Sequence, residues 1–303
     1  MTARSLPAAA PRSGIVLMVA STAVFAAQDG LSRHLAETAS VFMVVTVRFW
    51  FLAALLLALA ARRPGGVRAA LISRRPGLQI LRGLLLAAEI CVMVWAFTLL
   101  GLAASHAVFA VSPLLVAALS GPLLGERVGW RRWLAIAAGF AGVLVILNPG
   151  AGAFDPLAVV PLASALLWAL YGLTTRLASR SDPASVSFLW TGLVGAAALT
   201  PLGLWAWSPL GAVDWALMGV LCLTAALGHW LLIRAYEAAE ASALQPFAYL
   251  QLVFASALGV ALFDERIAPH VALGAVIVVA AGLFTLWRER RARLAAPRPR
   301  EMP

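Results

Sequence analysis

The stretch AFTLLGLAASHAVFAVSPLLVAALSGPLLGE at Ala96–Glu126 decides the fold, because a related stretch, AYEAAEASALQPFAYLQLVFASALGVALFDE, occupies Ala235–Glu265. The two stretches align without a gap at an offset of 139 residues, and each is followed by Arg, so that both end in Glu-Arg. Shorter matches pair Gly30-Leu31-Ser32 with Gly172-Leu173-Thr174, and Gly142 with Gly282. Self-similarity at a fixed offset indicates that the chain contains two copies of one structural unit.

The composition is that of a membrane protein. Of the 303 residues, 62% are hydrophobic and only 12% are charged, whereas a soluble domain has about 45–50% apolar and about 25% charged residues. The apolar residues fall in blocks of about 20, the length that an α-helix needs to cross a hydrocarbon core of about 30 Å. The chain is therefore predicted to be an all-α integral membrane protein.

Apolar blocks separated by Arg, Gly-Pro or acidic residues predict ten transmembrane helices. They are Ile15–Leu35, Val41–Ala61, Leu78–Leu99, Ala103–Leu124, Trp130–Leu147, Pro156–Leu177, Ser185–Leu204, Trp215–Tyr236, Ala243–Phe263 and His270–Trp287. Five belong to a first repeat at residues 15–147, and five to a second repeat at residues 156–287. Residues 1–14, 148–155 and 288–303 are predicted to be an N-terminal tail, a linker and an Arg-rich tail.

The distribution of Arg predicts the orientation. All 23 basic residues are Arg, and the formal net charge is +10. In a soluble chain this charge would suggest a nucleic-acid-binding surface, but here the Arg residues crowd into the gaps between apolar blocks, as in cytoplasmic loops. Only Arg33 and Arg266 lie in gaps on the opposite side. Both termini are therefore predicted to be cytoplasmic in a bacterial inner membrane, with no nucleic-acid partner.

An odd number of crossings in each repeat has a geometric consequence. The second copy must enter the membrane upside down, related to the first by a pseudo-two-fold axis in the membrane plane. The Arg distribution agrees, because Glu126-Arg127 falls on the Arg-rich side and Glu265-Arg266 on the Arg-poor side. Inverted repeats around a midplane site are typical of secondary transporters.

These features together resemble the EamA-type drug/metabolite transporter superfamily over nearly the whole chain. The matching pattern is a Ser- and Ala-rich turn, a mid-helix Pro113 and the terminal Glu126-Arg127, repeated after about 140 residues. The chain departs from the pattern at Leu252, which stands where the first copy has Pro113. Within the superfamily it looks most similar to bacterial aromatic amino-acid exporters of the YddG type.

The resemblance implies a central cavity bounded chiefly by predicted helices 1, 3, 4, 6, 8 and 9, and alternating-access export of amino acids or related metabolites. A nucleoside, sugar or cationic-drug carrier of the same superfamily is the alternative. No ATPase motif occurs in the sequence, which favours a gradient-driven carrier. An intramembrane enzyme is disfavoured because no protease or esterase motif occurs at bilayer depth. A channel is disfavoured by the paired repeats.

Five residues are candidates for substrate binding because they place polar or aromatic groups at mid-helix depth: Gln28, Trp168, Tyr171, His229 and Tyr249. Binding sites typically have apolar walls with a few polar groups. Aromatic residues at this depth often serve packing alone, and that reading stays open. Small-residue spacings such as Ala138-x3-Gly142 favour close helix packing. The chain is predicted to be a monomer or a weak homodimer through predicted helices 5 and 10.

Three ionisable residues, Asp29, Arg48 and Glu89, are predicted to lie deep in the membrane, where a charge is costly and must be paired or functional. Asp29 and Arg48 lie at similar depths, which predicts a structural ion pair, with a gating or substrate contact as the alternative. Glu89 has no Arg partner at the same depth and is a candidate for proton coupling, with a neutral or hydrogen-bonded structural acid as the alternative. Arg82 is predicted to extend towards the headgroups. Cys91 and Cys222 lack ligand spacing, so neither a metal nor a cofactor is predicted.

Overall fold

The computed structural model describes residues 11–125, 129–147, 156–238, 244 and 247–295. Within these ranges the chain forms eleven α-helices and one 3-10 turn, Pro156–Ala158. The helices are α1 (Pro11–Thr38), α2 (Val41–Ala61), α3 (Gly66–Ala70), α4 (Pro76–Phe109), α5 (Ser112–Leu124), α6 (Trp130–Leu147), α7 (Val159–Ala178), α8 (Ala184–Trp205), α9 (Ala212–Ala238), α10 (Leu250–Phe263) and α11 (Pro269–Ala295). Glu126-Arg127, the linker 148–155 and the outer parts of both tails lie outside the described residues.

Six of the described helices are long and apolar enough to cross a membrane: α1, α2, α4, α7, α8 and α9. Four shorter apolar segments accompany them, Ser112–Leu124, Trp133–Ile146, Leu250–Phe263 and Pro269–Thr285. The described part of the chain is thus all-helical, as predicted. Six tryptophans are exposed on the outside of the bundle, as is usual for this residue at membrane interfaces: Trp130, Trp133, Trp205, Trp207, Trp215 and Trp287.

The region of predicted helices 3 and 4 agrees with the prediction at one break and differs from it at another. Gly101 inside α4 has φ +81° and ψ 176°, values that are not helical, so α4 consists of two helical segments that meet at the predicted link. The predicted helix Ala103–Leu124 is then interrupted at Ala110 and Val111, before α5 begins. Pro113 explains this second break, because proline lacks the N–H that a continuous helix would need there. The prediction placed one uninterrupted helix here and was wrong.

Helix packing is reciprocal between the two halves of the chain. Helix α1 packs on α9, and α4 packs on α7; α2 packs on α8, and α6 packs on α11. In the predicted repeat numbering these pairs are 1 with 8, 3 with 6, 2 with 7 and 5 with 10. A two-fold axis requires such a pattern, because helix i of one copy must contact helix j of the other whenever j contacts i.

The contact between α6 and α11 depends on two glycines. A Cβ added at Gly142 would lie 2.9 Å from the carbonyl oxygen of Gly274, and a Cβ at Gly274 would lie 2.5 Å from the carbonyl oxygen of Gly142. The two backbones can approach this closely only where no side chain intervenes. Of the predicted Ala138-x3-Gly142 spacing, Gly142 therefore packs against α11 within the chain, whereas Ala138 is exposed.

A buried polar network joins α4, α7 and α8 at the end of the bundle where α4 begins. Arg82 is 2% exposed; it donates to Thr175 Oγ1 at 2.9 Å and to Gln79 Oε1 at 2.6 Å. The expectation that Arg82 extends towards the headgroups was wrong, because side chains of the neighbouring helices bind its guanidinium inside the bundle.

Asp182, in the turn between α7 and α8, completes the network. Its carboxylate accepts from Ser73 Oγ, from the backbone N–H of Arg74 at 2.8 Å and from Gln79 Nε2 at 2.8 Å. Burial alone would raise the pKa of Asp182, but these hydrogen bonds outweigh it and hold the pKa below its usual range. The ionised carboxylate thus fixes the α7–α8 turn to the start of α4.

Candidate functional site

A cavity of about 300 Å³ lies between α1, α2, α4, α5, α7, α9 and α10. Its volume is at the lower end of the range found for small-molecule sites, about 300–1,000 Å³. Apolar side chains form most of its wall, and Gln28, Asp29, Arg48, Glu89, His106, Ser112, His229 and Gln251 place polar groups in it. An apolar cavity with a few converging polar groups is the usual form of a ligand site.

The repeat contributes the same positions to the cavity from both copies. Four pairs at the 139-residue offset line it on both sides: Phe109 and Ala248, Ala110 and Tyr249, Ser112 and Gln251, and Pro113 and Leu252. Both copies thus present the segment where the helix is interrupted. An interruption frees backbone groups near the cavity, as in other transporters whose discontinuous helices meet at the repeat interface.

Asp29 connects both copies across the cavity wall. Its Oδ2 accepts from Gln251 Nε2 of α10 at 3.0 Å and lies 3.1 Å from His106 Nε2 of α4. The contact with His106 has the distance of a hydrogen bond but not its alignment. The predicted Asp29–Arg48 ion pair is therefore replaced by contacts with α4 and α10, because Asp29 points towards those helices and not towards α2.

Arg48 of α2 forms hydrogen bonds with Gln28 instead. With the Gln28 amide oriented by its hydrogen-bonding neighbours, its carbonyl oxygen accepts from the two terminal nitrogens of Arg48 at 3.1 and 2.9 Å. Arg48 is 9% exposed and lines the cavity. A guanidinium held by a neutral amide keeps its full positive charge available to an anionic group entering the cavity.

Glu89 is the third buried charge-bearing group of the wall. It lies on α4, lines the cavity and accepts a hydrogen bond from Ser164 Oγ of α7 at 2.9 Å. The cavity wall therefore contains two carboxyl groups and one guanidinium, all of them largely buried. Charged and polar groups in such a site interact more strongly with a ligand than they would at the surface.

Aromatic rings form a continuous part of the wall. Phe109 and Trp168 lie 6.1 Å apart between ring centroids, and both line the cavity. On another side, Phe25 meets His229 edge-on at 5.2 Å. The Nδ1 atom of His229 lies 2.9 Å from the carbonyl oxygen of Ala225, so the other ring nitrogen is left for other contacts. The free faces of these rings can pack against a planar group in the cavity.

The structure places four of the five candidate substrate-binding residues on the cavity wall: Gln28, Trp168, His229 and Tyr249. Tyr171 is not among the lining residues. Its ring lies 5.7 Å from that of Trp168 and 5.3 Å from the Arg82 guanidinium, on the far side of Trp168. Tyr171 lies about one helical turn beyond Trp168 along α7, towards Arg82, so only Trp168 is at the level of the cavity.

Several lining residues were missed by the sequence reasoning, above all Phe25, His106, Phe109, Ser112 and Gln251. A usable signal existed for two of them, because Ser112 and Gln251 occupy equivalent positions of the repeat. Two aromatic residues at similar depth, Trp95 and Trp230, are instead 51% and 54% exposed on the outside of the bundle. Depth along a helix is readable from sequence, whereas the direction that a side chain faces is not.

The sequence profile of the EamA-like transporter family matches the chain twice, at residues 12–148 and 157–287. The chain belongs to this family. It is a multi-pass membrane protein and a transporter, not an enzyme. The cavity at the junction of the two copies is thus the candidate transport site of an EamA-like transporter.

Curated relatives extend over almost the full length of this EamA-like transporter. An S-adenosylmethionine uptake transporter of Rickettsia prowazekii is 25% identical, covering 92% of this chain and 94% of the relative. A riboflavin transporter of Vibrio cholerae is 28% identical, covering 93% and 96%. A pseudopaline exporter of Pseudomonas aeruginosa is 25% identical, covering 89% and 94%. These relatives do not point specifically to aromatic amino-acid exporters.

The fold is also that of a known structure. One crystal structure superposes with a TM-score of 0.64 over 93% of this chain and 100% of the other, at 18% sequence identity. At this identity the similarity concerns the fold alone.

Proposed function

We propose that this EamA-like transporter carries a small metabolite that combines an α-amino-acid group with a planar ring, by alternating access across a bacterial inner membrane. The observation behind the proposal is the composition of the cavity wall, which places a guanidinium, two carboxyl groups and paired aromatic rings around one volume of about 300 Å³. Aromatic amino acids and S-adenosylmethionine are the two substrates of this class to test first.

The cavity has a complementary group for each part of such a molecule. Arg48 would receive the substrate carboxylate, since a guanidinium matches its geometry and charge. Asp29 or Glu89 would receive the ammonium group. Phe109 and Trp168 would contact the planar ring. Riboflavin has a ring system but no α-amino-acid group, so its transport would use only part of this arrangement.

The proposal includes ten crossings arranged as two inverted five-helix repeats, with both termini cytoplasmic. Reciprocal packing of α1 on α9 and α4 on α7 supports it, as does the Arg distribution of the sequence. Export, the direction predicted from the sequence, is retained. Two of the relatives named above are not described as exporters, so flux must be measured in both directions.

The substrate class is tested by flux into and out of proteoliposomes with labelled S-adenosylmethionine, tryptophan, phenylalanine, riboflavin, a sugar and a quaternary ammonium dye. Saturable flux of an α-amino-acid compound bearing a ring supports the proposal. Flux of riboflavin alone, or of the sugar alone, refutes it. The matched pair of variants is Trp168→Ala, which alters the cavity, and Trp95→Ala, which removes the same side chain from the outer surface.

A proton-coupling role for Glu89 is part of the same proposal. Its carboxyl group is buried, lines the cavity and has one hydroxyl donor, Ser164. A carboxyl group in these surroundings can bind a proton while the cavity is open to one face of the membrane and release it while the cavity is open to the other. If it does, an imposed pH gradient accelerates transport by the wild type but not by Glu89→Gln. Equal responses of the two proteins to the gradient would show that Glu89 does not couple transport to protons.

A further inference from the structure

The carboxylate of Glu265 connects three helices at the end of the bundle that holds Arg33 and Arg266, here called the Arg-poor end. It forms an ion pair with Arg33 of α1. It also accepts from two consecutive backbone N–H groups of α4, Leu102 at 2.6 Å and Ala103 at 3.0 Å. Glu265 follows α10 in the second copy of the repeat, whereas its partners all belong to the first copy.

The break in α4 creates the place for this carboxylate. At Gly101 the helical path stops, so the next N–H groups have no carbonyl four residues earlier to bond. The start of a helix also favours a negative charge. A Cβ at Gly101 would lie 2.6 Å from Glu265 Oε1, and the φ of +81° is one that glycine adopts without strain. Glycine at this position therefore admits the carboxylate to the helix start.

The end of α10 aims Glu265 at this break. The chain turns at Asp264, which has φ +51°, and the N–H of Glu265 then donates to the carbonyl oxygen of Gly259 at 3.1 Å. The guanidinium of Arg33 is held from a second side, 4.1 Å from the centroid of the Phe263 ring. The turn after α10 thus orients Glu265, and the Phe263 ring at the end of α10 helps to hold Arg33 in place.

The contacts close one side of the cavity. Asp29 on α1, His106 on α4 and Gln251 on α10 line the cavity wall nearest this end. Beyond them along the same three helices come Arg33, Leu102 and Glu265. These helices cannot separate here without breaking the ion pair and both backbone hydrogen bonds. We infer that Glu265 is a conformational latch, which holds the Arg-poor end of the transporter closed and must be released for the cavity to open there.

The latch can be tested without any substrate, so its failure is distinguishable from that of the proposed substrate class. The reporter is Ala110→Cys, a small cavity-lining position, in a background in which Cys91 and Cys222 are replaced by Ala. A membrane-impermeant maleimide is presented to either face in sealed vesicles of both orientations. The rate of labelling from the Arg-poor face measures how often that end opens.

Glu265→Gln keeps the shape of the side chain but removes its charge and the ion pair with Arg33. Labelling from the Arg-poor face is expected to accelerate about tenfold, an equilibrium shift of about 1.4 kcal/mol towards the open end. Glu37→Gln is the matched control, because Glu37 is exposed on α1 one turn beyond Arg33 and acts on it only through its charge. It should change the rate less than twofold.

Two further variants test the same latch by other routes. Gly101→Ala keeps every charge but places a methyl group against the carboxylate, and should also accelerate labelling. Arg33→Gln removes the ion pair while leaving the two backbone hydrogen bonds, so a smaller acceleration is expected. Each variant is first checked for a monodisperse, folded elution profile. If the folded variants label from the Arg-poor face at the wild-type rate, Glu265 is not a latch; should only Arg33→Gln fold, its rate alone decides.

Discussion

The hydrogen-bonded carboxylate of Asp182 offers a quantitative test of how the start of α4 is attached to the α7–α8 turn. The residue is 5% exposed, and three donors surround it, Ser73 Oγ, the Arg74 N–H and Gln79 Nε2. Asp182→Asn preserves the shape, removes the charge and turns an NH₂ group towards one of these donors. The variant tests the carboxylate without opening a cavity.

The expected loss follows from those three contacts. Hydrogen bonds to a charged group contribute roughly 1.5–3 kcal/mol each, about twice the value of neutral ones. The amide can retain two of them in the weaker neutral form, at roughly 0.5–1.5 kcal/mol each, and loses the third, so Asp182→Asn should destabilise the fold by roughly 3.5–6 kcal/mol at pH 7. Ser181→Ala is the control, because the Ser181 hydroxyl bonds only within its own turn, to the Ala178 carbonyl oxygen. Its effect should stay under about 1 kcal/mol.

The stabilisation by Asp182 should depend on pH in a direction that follows from its pKa. The pKa of Asp182 is lowered in the folded protein, so its stabilising effect is complete above the pKa of the unfolded chain, about 3.9, and is lost as the pH falls through the folded value. Unfolding of wild type and variant in detergent micelles is followed by tryptophan fluorescence between pH 7 and pH 3. The difference in the free energy of unfolding between the two proteins should begin to narrow below about pH 4. If the free energies of unfolding of wild type and variant are equal at pH 7, or if their difference grows on acidification, this account of the network is refuted.

Two other predictions follow from close contacts. Gly83→Leu should destabilise the protein by about 1–3 kcal/mol, measured by thermal unfolding, because an added Cβ would already lie 2.7 Å from Val194 Cγ1 between α4 and α8. Ser164→Ala removes the hydroxyl donor of Glu89 and should shift the pH profile of transport, read from initial rates between pH 6 and 8. Ser120→Ala removes a hydroxyl that bonds only within α5 and should leave that profile unchanged.

Much of the fold was predictable because the apolar blocks and their boundaries are visible in the linear sequence. Helix α2 has the predicted bounds, Val41–Ala61, since a long apolar block between Ser40 and Arg62 has one stable arrangement in a bilayer. The break of α4 at Gly101 was predicted from the sequence as a link between two helices. The interruption before Pro113 was overlooked, because proline near a helix start is equally compatible with a kink.

The candidate site was predictable only in part. Asp29 was paired with Arg48 from their similar depths, but depth does not fix the direction of a side chain. Successive residues of a helix point about 100° apart, so Gln28 faces Arg48 while its neighbour Asp29 faces His106 and Gln251. Trp168 and Tyr171, three residues apart on nearly the same face of α7, differ instead in their position along the helix.

That the chain is a helical membrane protein made of two related copies follows from the amino-acid sequence alone, since apolar block length, Arg distribution and the repeat can all be measured along the linear chain. Which polar groups contact each other depends on the folded arrangement: Asp29 contacts Gln251, Glu89 contacts Ser164, and Glu265 contacts the opened helix at Gly101. A buried polar group must find a partner, and that partner is selected by the rotation and register of helices far apart in the chain, which no local pattern encodes.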